Sequence, residues 1–138
     1  MGTQQILLIV LSVIIVGAAI AVGITMFTTQ AVNSARQAVL MDMNNFAAQA
    51  LQYYRTPTSL GGAGYAADFD PADLAKFIDQ TATGDSVSTP NGGYQIAISS
   101  ADTSVTFTSV PNEPGLADNP PTLTIKLSTG DITANPGG

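Results

Sequence analysis

The chain has 138 residues and no cysteine, histidine or tryptophan, and its only basic side chains are Arg36, Arg55, Lys76 and Lys126. Without cysteine it has neither a disulfide nor a thiolate, and cysteine usage says nothing about the redox compartment. Without histidine a Ser-His-Asp hydrolase is excluded, and zinc and haem lose their usual ligands. Ten acids against four bases give a net charge of −6. A surface of that sign repels phosphate, so nucleic acid is not an expected partner. Glu113 is the only glutamate and falls in a proline-rich stretch, which leaves no facing pair of carboxylates for glycoside hydrolysis. The aspartates read as caps, turns and solubilising residues. The composition therefore points away from an enzyme and calls for no cofactor or metal.

Charge is also missing from a long run. Ile6 to Phe27, ILLIVLSVIIVGAAIAVGITMF, carries nothing more polar than Ser12 and Thr25. No proline interrupts the chain until Thr56-Pro57, which disfavours helix at Thr56 and removes a donor at Pro57. One helix from about Gln4 to about Arg55 is expected. It would be ~75 Å long, with an apolar part of roughly 33 Å against the ~30 Å hydrocarbon core of a bilayer. A secretory signal would have a basic start, a shorter apolar core and a small-x-small cleavage site. Here no base precedes Arg36, and the helical pattern runs straight on. A run that is apolar all round suits lipid or a packed bundle of helices. Gly17, Ala18, Ala19, Ala21 and Gly23 would let neighbouring helices approach closely.

After Phe27 the pattern becomes striped. Val32, Ala35, Val39, Met43, Phe46, Ala50 and Tyr53 recur at steps of three and four, with Asn33, Arg36, Gln37, Asn44 and Gln52 assigned to the other side. Positions 32, 39, 46 and 53 also fit a heptad seam, although the residues between them are mostly alanine. The stripe is expected to pack against the chain's own head through Val32, Val39, Met43, Phe46 and Tyr53. This gives three parts: an apolar half-helix over 1–27, an amphipathic half-helix over 28–55, and a β-rich head over 56–138.

In the head, Pro57 to Ala67 is a Gly-rich connector lacking the Lys-Ser/Thr of a phosphate loop. A short helix follows, with Asp70 as N-cap, Pro71 first and Asp73 in its first turn, and with Phe69 placed to staple onto Leu74. Capping accounts for two of the three carboxylates Asp68, Asp70 and Asp73, whose spacing is not that of an EF-hand. From Asn91 the period becomes two. Tyr94, Ile96 and Ile98 mark one strand, Val105 and Phe107 a second, and Leu123, Ile125 and Leu127 a third; Ile132 opens a short fourth after Thr129-Gly130-Asp131. Each strand has one apolar and one hydroxyl-rich face, as in an antiparallel sheet covered on one side. The expected class is α+β: a long N-terminal helix packed by its second half on a small antiparallel sheet of three to four strands. Val110 to Pro121 is expected to be an exposed loop.

These features together resemble the type IV pilin family, including the pseudopilins of type II secretion. The resemblance is carried by about 54 N-terminal residues and, beyond them, by architecture alone. It implies a precursor whose short basic leader is removed by a prepilin peptidase, a subunit held in the inner membrane, and assembly by dedicated pilus machinery into an extracellular helical homopolymer whose core is a bundle of N-terminal helices. On that reading Met1 is the mature N-terminus and a site of methylation. Three positions depart from the family pattern: Met1 replaces the usual phenylalanine, Gln5 the fifth-position glutamate, and Val22 a helix-breaking proline. Gln5 cannot form the family's ion pair with a neighbour's amine, but its amide oxygen can accept a hydrogen bond from it. A cut after Gly2 would instead put Leu7 fifth. The implied assembly residues are Met1, Gln5, Gly17 and Gly23. Two other readings stay open: a single-pass membrane anchor presenting a small binding domain, and a minor pilin or pseudopilin of a secretion system.

Overall fold

The computed structural model describes residues 2–138. A single helix, α1, spans Thr3–Arg55. The chain divides into two compact units, Met1–Ser34 and Ala35–Gly138, so the half of α1 beyond Ser34 belongs to the same unit as the head.

Within the first unit the helix is held by its own backbone, and its hydroxyls return to that backbone. Ser12 Oγ donates to the Leu8 carbonyl, Thr25 Oγ1 to that of Ala21 at 3.0 Å, and Thr28 and Thr29 both to that of Thr25 at 2.9 Å. Apolar surroundings supply no such partner, so these bonds remove the cost of placing hydroxyls there.

The second unit is an α+β fold built on a five-stranded antiparallel sheet, one strand more than the sequence pattern led us to expect. The strands β1 (Ser86–Thr89), β2 (Gly92–Ser99), β3 (Ser104–Pro111), β4 (Thr122–Lys126) and β5 (Ile132–Asn135) lie in the order of the chain. The extra strand is β1. The Asn91-Gly92 signal closes a hairpin between β1 and β2 in which Thr89 faces Gly92 and Val87 faces Tyr94. A four-residue strand with one buried side chain, Val87, has too little alternation for the period to reveal it.

One face of the sheet receives the striped half of α1. Val39, Met43, Phe46, Ala47, Ala50, Tyr53 and Tyr54 join Tyr94, Ile96, Val105, Phe107, Leu123, Ile125 and Leu127 in one buried cluster. Phe46 sits at its centre, edge-on to Tyr94 with ring centroids 5.0 Å apart and tilted against Phe107 at 5.9 Å. The other face carries the hydroxyls, where Thr106 and Thr124 bond to each other across β3 and β4 at 3.0 Å.

The Gly-rich connector folds back to close the end of α1. Ala63 and Tyr65 donate their N–H groups to the Tyr53 and Tyr54 carbonyls at 3.0 and 2.8 Å, satisfying groups that a helix C-terminus leaves without partners. Gly62 lies so close to Thr56 that a Cβ there would fall 2.2 Å from the Thr56 carbonyl oxygen, which explains the glycine. Helix α2 (Pro71–Ile78) begins as expected, with the Asp70 side chain accepting from Ala72 N at 2.9 Å. Phe69, expected against Leu74, has its ring 5.3 Å from that of Tyr53.

The stretch from Val110 to Pro121 corrects a second expectation. It contains a short helix, α3 (Pro114–Ala117), and it buries Leu116 and Pro121. An apolar residue isolated among prolines and acids has no periodicity to mark it as core.

Candidate functional site

Two constellations carry chemistry or contact potential, one in each unit. In the first unit the feature is a surface. The fifteen large apolar side chains from Ile6 to Phe27 are all exposed, by 50% at Val10 up to 73% at Phe27. Each would gain roughly 1.5–3 kcal/mol on full burial, so this surface is unstable in water unless something covers it. Gln5 lies on the same exposed helix. A Cβ built on Gly17 or Gly23 meets nothing within 4 Å. Each glycine costs the helix roughly 1 kcal/mol relative to alanine, and neither is required by packing within the described residues. Met1 lies outside the described residues.

The second constellation secures α1 to the head, and sequence reasoning missed its key residue. Asp42 lies half-buried on α1, between the buried Val39 and Met43. Its Oδ2 accepts three hydrogen bonds from the β1–β2 hairpin: from Thr89 Oγ1 at 2.9 Å, Asn91 Nδ2 at 2.8 Å and the Tyr94 hydroxyl at 2.9 Å. Thr89 Oγ1 also accepts from Asn91 N at 3.2 Å, so the turn and the helix share one network. Burial pushes the Tyr94 phenol up to about 12; the Thr89 hydroxyl works against that rise and the Asp42 carboxylate adds to it. A signal for this site was present: Asp42 is the only carboxylate before Asp68, and it borders the apolar stripe. A single acid at the edge of such a stripe needs a partner, because a buried charge without one is costly.

Of the residues expected to pack the head on the helix, Val39, Met43, Phe46 and Tyr53 are in the buried cluster. Val32 is not; it is half-buried and falls in the first unit. Arg36, assigned to the polar side, is half-buried, because at ~100° per residue it lies only about 40° from Ala50. The rings of Phe69 and Phe77 flank Tyr53 at 5.3 and 5.2 Å. Burial first, and then the charges of Asp73 and Asp70, raise the Tyr53 phenol above its ordinary value.

Among the described residues, no group of three or more His, Cys, Asp or Glu is placed to hold a metal ion. Asn119, after α3, donates its amide to the Gly138 carbonyl at 2.9 Å. The Asp42 network is satisfied by the chain's own donors and presents no reacting atom. It acts by position: apolar and alanine side chains specify sliding along the helix poorly, whereas three bonds to one oxygen fit a single register.

Searches of family models, curated proteins and solved structures return no match for the chain. What the molecule itself offers towards a function is the apolar surface and the Asp42 network. Their common element, α1, is long and apolar enough to cross a membrane, and none of its most apolar window is buried by the rest of the chain. That is compatible with membrane anchoring.

Proposed function

We propose that this chain is the structural subunit of an extracellular filament of the type IV pilin kind, held in the inner membrane before assembly and then packed with other copies through the N-terminal half of α1. The observation that carries the reading is the uncovered apolar surface from Ile6 to Phe27, interrupted by two glycines that nothing among the described residues requires. Lipid would cover that surface but has no use for Gly17 and Gly23. A neighbouring helix does, because small residues let backbones approach closely enough for dispersion contacts along their length. The head, pinned to α1 by the Asp42 network, would then be displayed in a fixed register on every copy.

The runner-up, a membrane anchor carrying a small binding domain, uses the same apolar surface without self-association. Negative-stain microscopy of cell-surface material decides between them. Thin filaments containing the chain are expected, and Gly17→Leu, Gly23→Leu and Gln5→Leu should each reduce their number or length. A pool that stays monomeric in the membrane, or normal filaments from all three variants, would sink the proposal.

A further inference from the structure

The two flanks of the head differ in a complementary way. On the flank nearest β5, an open groove of about 510 Å³ is lined mainly by Ala48, Leu51, Gln52, Arg55, Pro57 and Leu60. Leu60 is 75% exposed, and the only charged side chain in the lining is Arg55. Leu51 approaches the β4–β5 turn: a Cβ on Gly130 would lie 4.0 Å from Leu51 Cδ2.

The other flank is formed by α2. It adjoins β1 and β2, at the far edge of the sheet from β5. On α1 it meets Tyr53, whose ring faces Phe77. Successive helical residues turn by ~100°, so Leu51 and Tyr53 project about 200° apart. The α2 flank is acidic: Asp68 and Asp73 are exposed, Asp70 caps the helix, and Lys76 is the only base there. Phe77 adds an apolar edge that is 37% exposed.

We infer that the groove beside Arg55 on one copy of this chain receives the α2 flank of a second copy, with Leu60 and Leu51 against Phe77 and Arg55 facing Asp73. The occupant is a second copy because one chain carries both halves of the match, apolar with positive on one side and apolar with negative on the other. The two halves lie on opposite flanks, so they cannot meet within a chain. Different patches meeting in this way form a heterologous contact, which leaves both outer patches free to bind again and propagates instead of closing. The apolar contact supplies most of the affinity, while the exposed charge pair sets orientation and contributes little strength. This inference rests on the filament reading for its repetition along an assembly, but the contact itself can be tested separately.

The chain has no cysteine, so Gln52→Cys in the groove and Lys76→Cys on α2, both at exposed positions, can be introduced together as the only thiols. Full-length protein is oxidised in surface filaments and, separately, in membranes, and is resolved by denaturing electrophoresis. The double variant should give a ladder of dimers, trimers and higher species, while each single variant should give none. Against that background, Arg55→Glu or Asp73→Arg should weaken the ladder severalfold, and combining the two should restore it. Filaments without a ladder would overturn the inference and leave the filament reading standing. A ladder in membranes without filaments would do the reverse. A ladder stopping at dimers, equal cross-linking by one single variant, or no rescue by the combined charge swap would each overturn the heterologous contact.

Discussion

Ile14 and Met43 lie on the same helix, yet Ile14 is 62% exposed and Met43 is fully buried. The difference is not one of hydrophobicity, since the run around Ile14 is the more apolar of the two. Around Met43 the chain supplies its own cover: alternating strands present Tyr94, Ile96, Val105, Phe107, Leu123 and Ile125, and the stripe at steps of three and four matches that single apolar face. Around Ile14 the apolar residues point in every direction, and no one-sided sheet could cover them. A striped helix can be completed within its own fold. A helix apolar all round must be completed by lipid or by other helices.

Truncating one large side chain in each region should separate the two halves of α1 most clearly. Phe46→Ala should destabilise the head by about 3–5 kcal/mol through lost burial and the cavity left behind. In detergent this would appear as a lower midpoint of the near-ultraviolet tyrosine signal on heating. Ile14→Ala should leave that midpoint unchanged, since nothing in the head depends on it. Equal midpoints for the two variants would mean that the stripe is not the anchorage described here.

A smaller effect separates packing from register. Asp42→Ala removes the shared acceptor of Thr89, Asn91 and Tyr94. It should cost about 1–3 kcal/mol, the typical loss for hydrogen bonds to a charged acceptor. The informative readout is hydrogen exchange, where protection should fall in the β1–β2 hairpin and persist in β3 and β4. Uniform loss across the sheet would show that Asp42 supports the whole core and does not merely set where the hairpin grips the helix.

The smallest expected effect concerns alkaline pH. The folded Tyr94 phenol is raised to about 12, above the ordinary value of about 10. Its contribution to stability is therefore fully present below pH about 10 and is lost as pH rises through about 12. Tyr53 is raised as well, in the same direction. A phenolate absorbance titration of the full chain should show a step near pH 12 from Tyr94, together with loss of the head's tyrosine circular dichroism. Tyr94→Phe should remove that step. If Tyr94 ionised near the ordinary value of about 10, its ring would not be buried against α1 as the structure has it.

Much of this was readable from residue order because it depends on neighbours in the chain. Period, capping and breakers placed α1, the start of α2 and the strands carrying Tyr94, Phe107 and Ile125; these are local effects, set by backbone sterics and by side chains a few positions apart. What escaped depends on distant partners. β1 is too short to show a period and exists because Gly92 and Tyr94 pair with Thr89 and Val87. Leu116 is core because the chain after β3 turns it inward, not because of its neighbours. Asp42 looked like one solubilising acid among ten until the hairpin, 47 to 52 positions away, brought three donors to one oxygen. By itself, then, the sequence determined a long helix with two kinds of surface and a sheet with one apolar face. Only the tertiary structure decided where the helix is gripped and which flanks of the head remain open, because burial and charge pairing at a given residue are set by groups far away in the chain.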